Sequence, residues 1–111
     1  MSEIALRKKE GESIMAMLQK DDYLVVLDER GKMLDSPGLA ELLQNCGNNS
    51  TKNLVFLIGG AYGTDEVVLS RANFKWSLSK LVFPHQLVRL ILAEQLYRAC
   101  SILRNEKYHH S

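Results

Sequence analysis

Hydrophobic positions along this 111-residue chain change their period several times, and each change marks an element. From Ser2 to Leu18, the side chains Ile4, Leu6, Ile14, Met15 and Leu18 fall among charges at intervals that predict a partly amphipathic helix, with Gly11 weakening its middle. Asp21-Asp22 break that pattern. Tyr23-Leu24-Val25-Val26-Leu27 is then a continuous β-prone run, which predicts a strand buried on both faces, as in a parallel sheet. Asp28-Glu29-Arg30-Gly31-Lys32 reads as a polar turn. Ser36-Pro37 opens a second helix through Leu43, ending near Gly47, with Pro37 as its first residue. Leu54-Val55-Phe56-Leu57-Ile58 predicts a second buried strand running into Gly59-Gly60-Ala61-Tyr62-Gly63, after which Thr64 can cap a helix over 65–71. The third apolar run, Leu81-Val82-Phe83, predicts the third strand. Pro84 suits the first turn of a helix reaching Arg104. Alternating strands and helices with long connections predict an α/β fold with a parallel sheet and right-handed crossovers.

The last helix is unusual. At 100° per residue, Leu87, Val88, Leu90, Ile91, Leu92, Leu96, Tyr97, Ile102 and Leu103 point in every direction, so no face is plainly solvated. A short chain cannot surround such a helix alone. One side is expected on the chain's own sheet and another on a second subunit, leaving Arg89, Glu94 and Arg98 half buried. Glu94 and Arg98 stand four apart in the favourable order for an ion pair.

Composition adds limits. A content of 46% hydrophobic and 24% charged residues is ordinary for one globular domain over residues 1–111. No apolar run is long enough for a membrane span and the N-terminus has no signal-peptide core, so the expected location is cytoplasmic. Cys46 and Cys100 have neither close pairing nor CxxC spacing and read as reduced structural thiols. The net charge of +1 is uneven: residues 1–70 hold seven Lys/Arg against eleven Asp/Glu, and residues 71–111 hold seven against two. That basic C-terminal third fits an anionic partner such as nucleic acid, or simply a solvated surface.

Ligands of open parallel sheets bind beyond the carboxyl ends of the strands, here Leu27-Asp28, the glycine segment 59–63 and Val82-Phe83-Pro84. The glycine spacing is neither GxGxxG nor GxxxxGK[ST]. The helix after it begins Thr64-Asp65-Glu66, whose carboxylates occupy the positive helix end and repel phosphate. A phosphate-free ligand suits the site better, for example adenosine with a sulfonium tail; a purely structural glycine turn is the alternative. His85, His109 and His110 have no metal-ligand spacing, and no nucleophile elbow is present. Tyr108-His109-His110 could stack on a base and move a proton, or be a frayed end.

Taken together, LDERGK at 27–32, IGGAYG at 58–63, WSLSKLVFPHQLVRLILAEQLYRA at 76–99 and the terminal YHH closely resemble the RlmH family of SPOUT methyltransferases. The resemblance covers nearly the whole chain. It implies a C-terminal trefoil knot, a homodimer, and S-adenosylmethionine as cofactor. The implied reaction is N3-methylation of a pseudouridine in large-subunit ribosomal RNA within the ribosome. By motif, the cofactor contacts would be Leu27, Gly60 and the loop Ser79, Lys80, Leu81, Val82, Phe83 and Pro84. Glu94, Arg98, Tyr108 and His109 would arrange the RNA and the reacting base. No metal or membrane enters this scheme. Two departures stand out: the family's opening strand, helix and strand are absent, and His110 replaces a commonly basic residue. The alternative to an enzyme is a shortened knotted dimer that binds cofactor or RNA without transferring methyl. A receiver-type regulatory domain fits less well, since only Asp28-Glu29 supply acid after the first strand.

Overall fold

The structure is a computed structural model that describes residues 2–59 and 63–105. Its elements run α1 (Glu3–Met17), β1 (Tyr23–Met33), α2 (Ser36–Asn48), β2 (Leu54–Ile58), α3 (Glu66–Arg71), β3 (Phe74–Ser77) and α4 (His85–Arg104). The helix starts follow local chemistry. The Ser2 hydroxyl accepts from the Ala5 N–H at 3.1 Å, and the Asp35 carboxylate accepts from the Gly38 N–H at 2.7 Å, each satisfying a donor the helix cannot. Pro37 lies in the first turn of α2, one residue later than expected, and Pro84 is the N-cap of α4. Asp65 rather than Thr64 is the N-cap of α3, and no side-chain hydrogen bond caps that helix.

The three strands form one parallel sheet in the order β2-β1-β3. Val25, Leu39, Ala40, Trp76 and Ala99 form the buried cluster on the face of α2 and α4. Leu24, Val26, Val68 and Leu69 form the cluster on the opposite face, with Ile14, Met15 and Leu18 of the α1 segment against them. Consecutive β1 residues thus feed opposite cores, and this is why the strand reads as an unbroken apolar run. The crossover from β1 to β2 uses α2 on one face, and that from β2 to β3 uses α3 on the other while moving the opposite way. A common handedness requires this pairing of direction and face. Gly11 is buried, and a Cβ there would lie 2.9 Å from the Asp65 Cβ. It is the point at which α1 approaches the start of α3.

Two strand assignments differ from the sequence pattern. The polar segment 28–32 is not a turn: β1 continues to Met33, with Leu27 and Lys32 both in register with Trp76 and residues 28–31 bulged between them. Gly31 makes this possible, since a Cβ there would stand 2.6 Å from the carbonyl carbon and oxygen of Lys75. The third strand is Phe74–Ser77, not Leu81-Val82-Phe83. Trp76 and Ser77 are buried, whereas Leu81 and Val82 are 69% and 80% exposed. Burial of one large indole fixes the strand more firmly than a run whose Leu81 and Val82 stay exposed and whose Phe83 is only partly covered.

Helix α4 likewise departs from the all-round reading. Ala99 is fully buried, and Leu92, Leu96, Ile102 and Leu103 pack on the α2-side core. Leu87, Leu90 and Tyr97 are uncovered, at 41%, 66% and 68% exposure. Arg89, Glu94 and Arg98 are exposed in the single chain rather than half buried. The Glu94–Arg98 ion pair forms as its spacing predicts. Of the cysteines, Cys46 is buried and Cys100 exposed, both unpaired.

Candidate functional site

The connections after β1 and β2 leave for opposite faces, so a crevice opens between the carboxyl ends of these adjacent strands, the position where open α/β sheets take ligands. A cleft of about 510 Å³ lies there. Leu27, Ile58 and Gly59 line it from the two strand ends, and Leu78, Ser79, Leu81, Val82 and Phe83 from the β3–α4 segment. Arg7 of α1 and His85 and Val88 of α4 complete its rim. Its volume and its mixture of apolar side chains with polar groups both suit a nucleoside-sized molecule. A Cβ on Gly59 would fall 2.5 Å from the Thr64 hydroxyl oxygen, and Gly63 has φ of 92°. The glycines flanking this loop thus serve a close approach at one end and a left-handed turn at the other.

The segment after β2 carries no phosphate-binding geometry: α3 has Glu66 in its first turn and is only 6 residues long. Past the register of Leu27 with Ile58, β1 continues alongside β3, and its bulged residues Asp28, Glu29 and Arg30 also line the cleft. Asp28 and Arg30, two apart and so on one side of the chain, are joined there by three hydrogen bonds. Asp28 Oδ1 accepts from the Arg30 backbone N–H at 2.8 Å and from Nε at 3.1 Å, while Oδ2 accepts from Nη2 at 2.9 Å. The Asp28 side chain is 10% exposed and that of Arg30 is 69% exposed. The hydrogen bond from Arg30 holds the Asp28 carboxyl below its ordinary value of 3.8 against the opposing effect of burial.

That depression has a pH consequence. A carboxylate with a lowered folded-state value stabilises the fold above the unfolded value and loses this contribution as pH falls through the folded one. Asp28→Asn is therefore expected to unfold at lower urea than the parent at pH 7, with the gap narrowing once pH drops below 3.8. A gap that stayed constant from neutral pH to strongly acid conditions would contradict this role.

Of the residues expected at the site, Leu27, Ser79, Leu81, Val82 and Phe83 line one cleft; Lys80 and Pro84 lie in the same loop without lining it. Glu94 and Arg98 lie elsewhere, on the exposed side of α4, where Glu94 accepts from Arg98 Nε and, at 2.8 Å, from Gln95 Nε2. Gly60, Tyr108, His109 and His110 lie outside the described residues. Arg7, Arg30 and Trp76 were not anticipated. The alternation Asp28-x-Arg30 would have placed a charge pair on one strand face, had the strand been continued past Leu27. Nothing in the sequence brings Arg7, twenty residues from Leu27, to the same rim.

Among the described residues no group of His, Cys, Asp and Glu could hold a metal ion, and no helix is long and apolar enough to cross a membrane. What remains is an α/β domain with a nucleoside-sized cleft of mixed apolar and polar lining at the carboxyl edge of a parallel sheet. A family model described as "Predicted SPOUT methyltransferase" matches residues 1–109. The Ribosomal RNA large subunit methyltransferase H of Christiangramia forsetii is 51% identical over 104 residues, covering 94% of this chain and 66% of that protein. Proteins of the same name from Flavobacterium johnsoniae and Clostridium novyi are 50% identical over 110 residues and 46% over 107, covering 99% and 96% of this chain and 70% and 67% of their own lengths. The chain belongs to the SPOUT methyltransferase family, and it spans about two thirds of the length of these curated relatives.

Proposed function

We propose that this chain is an S-adenosylmethionine-dependent methyltransferase that acts as a homodimer on large-subunit ribosomal RNA, methylating N3 of a pseudouridine. The observation that carries the reading is the cleft itself, closed on one side by Leu27 and Ile58-Gly59 and on the other by the segment Leu78–Phe83. Its apolar walls fit an adenine ring, and its backbone-rich loop ends fit the ring's polar edge. A knotted passage of the β3–α4 segment would hold such a loop rigidly, and knotting is part of this proposal. The names of the relatives, at about half identity, supply the RNA substrate.

S-adenosylmethionine, when bound, supplies a methyl group on a sulfonium, an electrophile whose departure leaves a neutral thioether. The protein's work is alignment and proton removal. With the cofactor held by Leu27 and the Ser79–Phe83 loop, its methyl group would pass to pseudouridine N3, and the N3 proton would have to pass to a base. His109 or Glu94 takes that proton and Arg98 balances the developing negative charge. Tyr108 stacks on the RNA.

The last α4 residue lining the cleft is Val88, and Glu94 lies six residues on, about 9 Å along the axis. Glu94 instead continues the stripe Leu87, Leu90, Tyr97, whose members recur at helical spacing and are uncovered. A second copy on that stripe buries apolar area and sets Glu94 and Arg98 at the junction of two chains.

The test is transfer of labelled methyl from S-adenosylmethionine to large-subunit RNA of ribosomes lacking the modification. Incorporation at one pseudouridine is expected, with His109→Ala slowed by about 10²-fold or more. Cofactor binding without incorporation would leave a non-catalytic knotted dimer as the better description. A His109→Ala protein working at the parent rate would remove His109 from the scheme.

A further inference from the structure

The Asp28–Arg30 pair has capacity left over. A carboxylate offers about four acceptor positions and a guanidinium five N–H donors. Three hydrogen bonds join the pair, and one of them uses the Arg30 backbone N–H. Among the described residues, one position on Asp28 Oδ2 and three guanidinium N–H donors, two of them on Nη1, therefore remain. Both residues border the cleft, as do Arg7 and Glu29. Glu29 and Glu66 lie near Arg30, and Lys75 near Asp28, so the local charge is mixed rather than basic. A phosphate in the cleft would meet the carboxylates of Asp28 and Glu29. A zwitterion would meet one matched partner for each of its charges.

We infer that Asp28 and Arg30 form the subsite for the α-amino-carboxylate end of the ligand, with Arg30 binding the carboxylate and Asp28 the ammonium. This rests on the cofactor reading above and deepens it, assigning the cleft a means of distinguishing an amino-acid-bearing nucleoside from a plain one. The bulge makes the pair a fixed receptor. Gly31 seats the segment against Lys75, and the Asp28 bonds set the guanidinium plane before any ligand arrives. Arg30 acts here as a specificity-determining residue and takes no part in the methyl transfer.

The experiment compares two probes by calorimetry: S-adenosylhomocysteine, which carries the zwitterion, and 5′-methylthioadenosine, which lacks it. The parent protein should bind the first at least about tenfold more tightly, the worth of one charge-assisted hydrogen bond. Arg30→Gln should erase that preference while changing 5′-methylthioadenosine affinity by less than about twofold, and Arg30→Lys should restore part of it. Equal losses for both probes would make the pair a structural wall and overturn the subsite. A preference that survived in Arg30→Gln would overturn it as well. Failure of the folded parent to bind either probe would instead bring down the cofactor reading and this inference with it. Emission from Trp76, the single tryptophan and a cleft-lining residue, checks that each variant keeps the same fold.

Discussion

Gly31→Val is expected to lower the melting temperature by roughly 10–20 °C, the shift that about 3 kcal/mol of overpacking produces in a domain of this size. The collision leaves little room for relief, because the atoms that a Cβ would meet at 2.6 to 2.8 Å are the carbonyl group of Lys75 and the nitrogen of Trp76. Backbone cannot turn aside as a side-chain tip can. Moving it would separate β1 from β3 beside Trp76, which belongs to the buried cluster on the α2 side and meets Phe56 edge-on at 6.1 Å. The same variant should weaken nucleoside binding, since residues 28–30 form the cleft wall. A melting point within a few degrees of the parent would mean that the bulge is not held as described.

The second large effect concerns assembly. Leu90→Asp combined with Tyr97→Asp should convert the proposed dimer to monomers at micromolar concentration, with methyl transfer falling by two orders of magnitude or more, the scale on which loss of central apolar anchors acts. Both side chains are two-thirds exposed in the single chain, so the monomer's own core loses little. Sedimentation should show the change in mass, and circular dichroism should show an unchanged helix content. A variant that sedimented as the parent does would direct the search for the interface away from this stripe.

Local chemistry made much of the fold legible. Ser2, Ser36-Pro37 and Pro84 announced their helices within a residue or two. Tyr23–Leu27 and Leu54–Ile58 announced strands, since burial on both faces demands apolar residues throughout. The rest depends on long-range contact. Gly31 resembles a turn glycine, but its role is to let one strand lie against the backbone of another, and no local pattern reports that. Phe74–Ser77 is only four residues long with Lys75 exposed, so the stronger run Leu81-Val82-Phe83 drew the strand assignment. Those side chains line the cleft instead, where apolar groups can stay exposed without contributing to the core. The cleft was anticipated at the strand ends and through its β3–α4 loop. Its charged rim was not, because Arg7 reaches it from α1, which packs against α3 on the far face of the sheet.

A calorimetric titration of the folded chain with S-adenosylmethionine decides whether this cleft takes the cofactor. Saturable binding near one site per chain is expected, with Trp76 emission changing in step as the cleft fills. Absence of heat and of any emission change in a protein that melts cooperatively would contradict the assignment of this cleft to the cofactor.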